Sequence, residues 1–157
     1  MKSKLLNQEG GERTFAITFD AGEELIEGMR RFAREEELAA SEFRAIGAFA
    51  EATVAYFDWD QKEYRGIPIG DQVELLSLIG HVTLPHADEE AEERNLHVHV
   101  VLGRADGSAV GGHLQRAVVR PTCEIVLNEL PAYLARRTDP ESGLALIDPD
   151  IEATSGS

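Results

Sequence analysis

The chain has 157 residues, 43 % of them apolar, which is enough for one domain with an ordinary core. No apolar run is long enough to cross a membrane. Because 29 acidic residues stand against 15 basic ones, the net charge is −14, which disfavours binding to nucleic acid without excluding it. The single cysteine, Cys123, excludes an internal disulfide, so we expect a cytoplasmic protein in which Cys123 is a small buried side chain.

The first forty residues predict one strand and one helix. Residues 1–11 are polar, and we expect them to be loosely ordered. Residues 14–19 alternate apolar and polar side chains, as a half-buried strand does. Asp20 is the expected helix N-cap, with Glu23 completing a capping-box pattern, and the apolar stripe that follows continues to about Leu38.

The remainder of the chain reads mainly as strands. These are predicted at residues 42–49, 53–59, 63–67, 73–84 and 117–129, and the acidic segment 85–94 is predicted to be an exposed loop. We therefore predict an α+β fold, a single compact domain with a largely antiparallel sheet flanked by helices. The domain is expected over residues 12–147, with loose termini at 1–11 and 148–157.

Three of the five histidines lie in one predicted hairpin. Leu96, Val98 and Val100 alternate with His97 and His99, so both imidazoles lie on the face opposite the apolar trio. The turn signal is the segment 104–108, in which Gly107 suits a left-handed loop position. If the loop has three residues, 105–107, then His113 stands directly opposite His99 and on the same face, whereas a two-residue loop places it on the other face.

Three neutral imidazoles that converge on one face predict a transition-metal site, with zinc, or another divalent transition metal, as the bound ion. Structural zinc sites normally have four protein ligands, so a site with three keeps a position open for water or a small ligand. His81 is a candidate fourth ligand or a partner of a ligating imidazole, whereas His86 is expected to be solvated. The nearby carboxylates are Glu51, Glu74 and Glu124. Any of them can orient an imidazole or act as a general base, but carboxylates in such positions are more commonly exposed or paired across strands.

These segments together resemble the PPC domain (plants and prokaryotes conserved). The resemblance is carried by Leu96-His97-Val98-His99, the Asp106-Gly107 turn and Gly111-Gly112-His113-Leu114, together with the segments 43–49, 54–58, 73–80 and 117–125. It covers about residues 12–130. The resemblance implies an α/β fold around a largely antiparallel sheet, a homotrimer, and a metal held by His97, His99 and His113. Plant members often carry an AT-hook, which this sequence lacks.

Three functions follow as hypotheses. The first, which we favour, is a metal-binding protein whose three-histidine site takes a small-molecule ligand. The second is a metal-dependent lyase, because the histidine pattern is similar to that of acetolactate decarboxylase, whose fold resembles the PPC domain; whether the protein is an enzyme stays open. The third is a DNA-binding regulator, as the family label suggests, for which the acidic net charge offers no support.

Overall fold

The computed structural model describes residues 1–84, 94–130 and 134–151. These residues form nine strands and one helix, in the following order: β1 Lys2–Glu9, β2 Glu12–Asp20, α1 Leu25–Glu35, β3 Ala40–Asp58, β4 Glu63–Ile69, β5 Val73–Thr83, β6 Asn95–Gly103, β7 Ala109–Glu129, β8 Ala135–Thr138 and β9 Ala145–Asp148.

Seven strands form one sheet that closes on itself. The strand order is β1-β2-β7-β6-β5-β3-β4, and β3 pairs with β7 as well as with β5, so that β3, β5, β6 and β7 make a closed ring. Each of these pairings is antiparallel. The strands β8 and β9 form a separate two-stranded sheet.

The prediction of an α+β fold flanked by helices is wrong. Within the described ranges the fold is mostly antiparallel sheet, and α1, with 11 residues, is its helix. The physical reason is the closure of the sheet: because β3 bends and pairs with both β5 and β7, the strands themselves cover most of the apolar face that helices were expected to cover. The predicted strands 42–49 and 53–59 are accordingly one continuous strand, β3.

The N-terminal predictions also need correction. Residues 2–9, expected to be loose, form β1 and pair with β2. The helix begins at Leu25, with Glu24 rather than Asp20 as N-cap, because the Glu24 carboxylate accepts a hydrogen bond from the Glu27 backbone N–H at 2.7 Å. It ends at Glu35, three residues earlier than predicted.

The core lies inside the closed ring and beneath α1. On β2, Phe15, Ile17 and Phe19 are buried, and the Phe15 ring meets Phe32 of α1 edge to face with centroids 5.2 Å apart. On β6, Val98 and Val100 are buried, as the alternation predicted, so the imidazoles of this strand occupy the opposite face. Cys123 is fully buried in this core, and burial raises the pKa of its thiol to about 12, so it behaves as a small apolar side chain.

Three predictions fall wholly or partly on residues that the structure does not describe. These are the acidic loop, apart from Arg94, the solvated His86, and residues 152–157 of the loose C-terminus. Within the described residues, no helix has both the length and the apolar character that a bilayer crossing requires.

Candidate metal centre

The turn between β6 and β7 sets the register of the histidines. The Arg104 N–H donates to the Ser108 carbonyl at 2.8 Å, which leaves a three-residue loop in which Gly107 has a φ of 81°. In this register His99 stands opposite His113, as the three-residue loop predicted. A one-residue slip would send His113 to the apolar face, so the turn is what brings the third imidazole to the other two.

The three imidazoles converge on the face of the sheet away from the core. The Nε2 atoms of His97 and His99 lie 3.0 Å apart, and one ring nitrogen from each of the three residues falls within 4.8 Å of the others. The ring centroids of His97 and His113 are 5.1 Å apart. This spacing allows all three nitrogens to face a common point.

The surroundings of the cluster keep two of its imidazoles neutral. Burial lowers the pKa of His97 to about 4, and the positive charge of Arg136, or of His113 when it is protonated, acts in the same direction. Burial also lowers the pKa of His113, with His99 adding to the effect. Neutral imidazoles present a free electron pair at neutral pH, which is the form that binds a metal.

Tyr64, which sequence reasoning missed, packs on the cluster from β4. Its ring stacks on His113 with centroids 4.7 Å apart and an interplanar angle of 30°. Phe57 supports Tyr64 in turn, edge to face at 5.2 Å. The aromatic contact fixes the orientation of the His113 ring and restricts the access of water to one side of it.

Two glycines let the strands approach closely beside His113. A Cβ on Gly111 would lie 2.5 Å from the carbonyl oxygen of Val100 on β6, and one on Gly112 would lie 2.7 Å from that of Ala55 on β3. The Gly-Gly pair therefore allows close backbone approach beside the cluster.

A cavity of about 190 Å³ opens next to the cluster. His97 and His113 form part of its wall, with Tyr64 beside them, and Arg136 of β8 forms another part. The remaining lining residues are Asn95, Leu96, Leu144, Ala145 and Leu146. The volume is below the range of about 300–1,000 Å³ that drug-sized ligands occupy, so this cavity suits a small molecule.

The other predicted candidates lie outside the cluster. His81 faces His97 across β5 and β6 and is exposed, but it is not part of the group of converging nitrogens. Glu51 pairs with Arg116 at 2.5 Å, and Glu74 and Glu124 line a different surface depression. In the described part of the chain, the group able to hold a metal consists of the three imidazoles alone.

The donor set fits a divalent transition metal. Three neutral imidazoles suit zinc, and also iron, nickel and copper, better than magnesium or calcium, which prefer oxygen ligands. The Nδ1 atom of His113 is buried without a hydrogen-bond partner among the described residues. Because a buried imidazole nitrogen without a partner is costly, a metal bound at Nδ1 of His113 would remove an unfavourable feature of the site.

A closed antiparallel sheet with a three-histidine cluster on its outer face defines the class of this protein. The model of the Plants and Prokaryotes Conserved (PCC) domain matches residues 6–131. The chain therefore belongs to this family, the PPC domain of the sequence analysis.

Solved structures of similar proteins agree with this assignment. A PPC protein from Pyrococcus horikoshii is 32 % identical with a TM-score of 0.77, and the match covers 94 % of each chain. A metal-containing protein from Archaeoglobus fulgidus is 33 % identical with a TM-score of 0.77, over 85 % of this chain and 91 % of that one. A proposed DNA-binding protein from Bacteroides thetaiotaomicron is 25 % identical with a TM-score of 0.77, over 93 % and 96 %.

Two further matches are to longer proteins. Acetolactate decarboxylase from Bacillus subtilis is 16 % identical with a TM-score of 0.53, over 73 % of this chain and 52 % of the enzyme, which shows a similar fold. The bifunctional protein GlmU of a Synechococcus strain is 28 % identical over 137 residues, which are 85 % of this chain. The chain spans about a fifth of the length of the curated relatives it matches.

Proposed function

We propose that this protein binds one divalent transition metal per chain through His97, His99 and His113, with zinc favoured, and presents it to a small ligand. The observation that carries the proposal is the convergence of three ring nitrogens within 4.8 Å beside a cavity of about 190 Å³. Three protein ligands would leave a tetrahedral zinc ion with one open position, and the cavity lies beside two of the three imidazoles, those of His97 and His113. A bound metal supplies Lewis acidity to an oxygen donor placed there.

The chain's own residues support this role. Burial keeps the imidazoles of His97 and His113 neutral, and Tyr64 fixes the plane of the His113 ring. The similar protein from Archaeoglobus fulgidus is described as metal-containing, which is consistent with the proposal. Catalytic turnover would need a proton-transferring group in addition to the metal. We therefore propose ligand binding as the function of this centre, and a lyase reaction as the second candidate.

Metal analysis of the purified protein tests the proposal. Protein purified without chelator should carry about one metal ion per chain by mass spectrometry of the elements. Each of His97→Ala, His99→Ala and His113→Ala should lose most of it, since two imidazoles hold zinc weakly. The matched control is His81→Ala, which removes an exposed histidine on the same face. Retention of the full metal content by all three variants contradicts the proposal.

We also propose that the chain assembles as a homotrimer. The outer face of the ring carries large apolar side chains that are 41 to 65 % exposed in the single chain: Ile46, Leu76, Ile79, Val101 and Val126. We call this set the apolar outer face. Monomeric proteins seldom expose such a contiguous set, and further copies of the chain would cover it. The number three rests on the family resemblance.

DNA binding is the weaker alternative. The similar protein from Bacteroides thetaiotaomicron carries that description, which supports the idea by analogy. A net charge of −14 opposes it, because affinity for a duplex comes largely from neutralising phosphates with basic side chains. A small anion that coordinates a metal directly does not face the same obstacle.

A further inference from the structure

Arg136 is a buried cation without a counterion in the described part of the chain. It is 5 % exposed, and it lies on β8, in the hairpin of β8 and β9 that forms part of the cavity wall. Its Nε donates to the Thr83 hydroxyl at 2.9 Å and its Nη1 donates to the Ala145 carbonyl at 2.8 Å. Both acceptors are neutral, so no described residue neutralises the positive charge.

The third nitrogen of the guanidinium group has no partner among the residues that the structure describes. Nη2 of Arg136 is buried and makes no hydrogen bond to any described residue. A buried donor of a charged group that makes no hydrogen bond is expensive, so a ligand that accepts a hydrogen bond from it would be stabilised by the contact. By contrast Arg137, the next residue along β8, is exposed and pairs with Asp148 at 3.0 Å.

Arg136 and the histidine cluster belong to the same cavity. Arg136, His97 and His113 all line it, and the charge of Arg136 contributes to the lowered pKa of His97. The rest of the wall combines the polar side chains of Tyr64 and Asn95 with the apolar side chains of Leu96, Leu144 and Leu146. A ligand that fills this space therefore meets a cation, imidazole nitrogens and apolar side chains.

We propose that Arg136 is the anion anchor of this cavity, and that the ligand is a small carboxylate with a second oxygen donor next to the carboxylate, as in a 2-oxo acid. One carboxylate oxygen accepts a hydrogen bond from Nη2 of Arg136, and the neighbouring oxygens face the metal position. Arginine is the residue best suited to this task, because its planar fork matches a carboxylate and remains charged when buried. This inference rests on the proposed metal site and adds the chemical class of its ligand.

The test uses cobalt-loaded protein and two probes. Cobalt(II) substitutes for zinc at nitrogen sites and gives a visible absorption spectrum that changes when a ligand enters its coordination sphere. Oxalate is the anionic probe, and imidazole is a neutral probe of the same open position. The variants are Arg136→Met, which removes the charge, and Arg136→Lys, which keeps the charge but loses the fork. Arg137→Met is the control on the same strand.

We expect both Arg136 variants to bind oxalate about tenfold more weakly or worse, the effect of losing one charge-assisted hydrogen bond. Metal content and imidazole affinity should stay at the wild-type level, as should oxalate binding by Arg137→Met. If Arg136→Met does not fold, Arg136→Lys decides the matter. Unchanged oxalate affinity in a folded Arg136 variant overturns the inference. Wild-type protein that binds imidazole but not oxalate also overturns it. Neither result contradicts the proposed metal site. Protein that takes up no metal removes both proposals.

Discussion

His99 and His113 face each other across β6 and β7 as directly opposed residues, with ring centroids 5.5 Å apart. A three-residue turn fixes this pairing, and His97 joins it from the same face of β6. The geometry of the site therefore depends on the backbone of the hairpin and on the strands that pack beside it, as well as on the imidazoles themselves.

The first prediction concerns the backbone behind His113. In Gly112→Ala the new Cβ would lie 2.7 Å from the Ala55 carbonyl oxygen, so β3 and β7 must move apart next to the histidine. We expect a loss of about 1–3 kcal/mol in the free energy of unfolding, together with weaker metal binding. Chemical denaturation and metal analysis measure the two effects.

Gly70→Ala is the control for this prediction, because a Cβ at that position meets nothing within 4 Å. It should change stability by no more than about 0.5 kcal/mol. Equal stability and equal metal content in the two alanine variants would show that the close approach of β3 and β7 does not matter to the site.

The second prediction concerns the acid sensitivity of the metal-free protein. The pKa of His97 is about 4 in the folded chain, against about 6.5 for an unperturbed histidine. Between these values the unfolded chain binds more protons than the folded one, so stability should fall as the pH is lowered from about 6.5 to about 4. The same imidazole is neutral above this window in both states, and there it contributes no pH dependence.

Denaturation of the metal-free protein at a series of pH values measures this effect. In His97→Gln the free energy of unfolding should depend less on pH between about 6.5 and about 4, because that variant lacks the imidazole that becomes protonated in the unfolded chain. A direct check is the NMR titration of the His97 ring. A midpoint near 6.5 in the folded, metal-free protein would refute the burial argument.

The third prediction concerns assembly. Light scattering should report about three times the chain mass of 17.2 kDa. Ile79, 65 % exposed, lies in the apolar outer face, and Ile79→Glu places a charge where partner copies are proposed to pack, so it should dissociate the assembly. Leu6→Glu, at an exposed position on β1, is the control and should leave the mass unchanged. A wild-type protein that is monomeric at micromolar concentration would contradict the proposed trimer.

The fourth prediction sets a small 2-oxo acid against DNA. A 2-oxo acid at about one hundred times its dissociation constant should stabilise the metal-loaded protein by about 2.7 kcal/mol and raise the melting temperature. The His99→Ala protein should not respond. Duplex DNA should change the melting temperature of neither protein, because few basic side chains are available to neutralise phosphates. Submicromolar, salt-sensitive DNA binding that survives the loss of the metal would restore the regulator hypothesis.

The sequence was most informative where the relevant contacts are local. The alternation of Leu96 to Val100 and the turn at Gly107 predict the face and register of the histidines, because the turn and its two flanking strands are neighbours in the chain. The number of helices was predicted wrongly because closure of the sheet depends on β3 pairing with β7, a contact between distant segments that leaves no periodic signal.

Tyr64 and Arg136 were missed for the same reason. Each reaches the cluster from a strand far away in the sequence, β4 or β8, and neither stands in a recognisable motif. A basic residue at a predicted buried position is the signal that could have pointed to Arg136. The segment around it has no clear strand pattern, so its burial was not predictable from the sequence.

Anomalous scattering from crystals of the metal-loaded protein tests the central claim most directly. At the zinc absorption edge we predict one strong peak per chain, at about 2.0–2.1 Å from a ring nitrogen of each of His97, His99 and His113, with a non-protein ligand completing the coordination. A peak bound to other residues, or no peak at these histidines in crystals grown with zinc, would contradict the account.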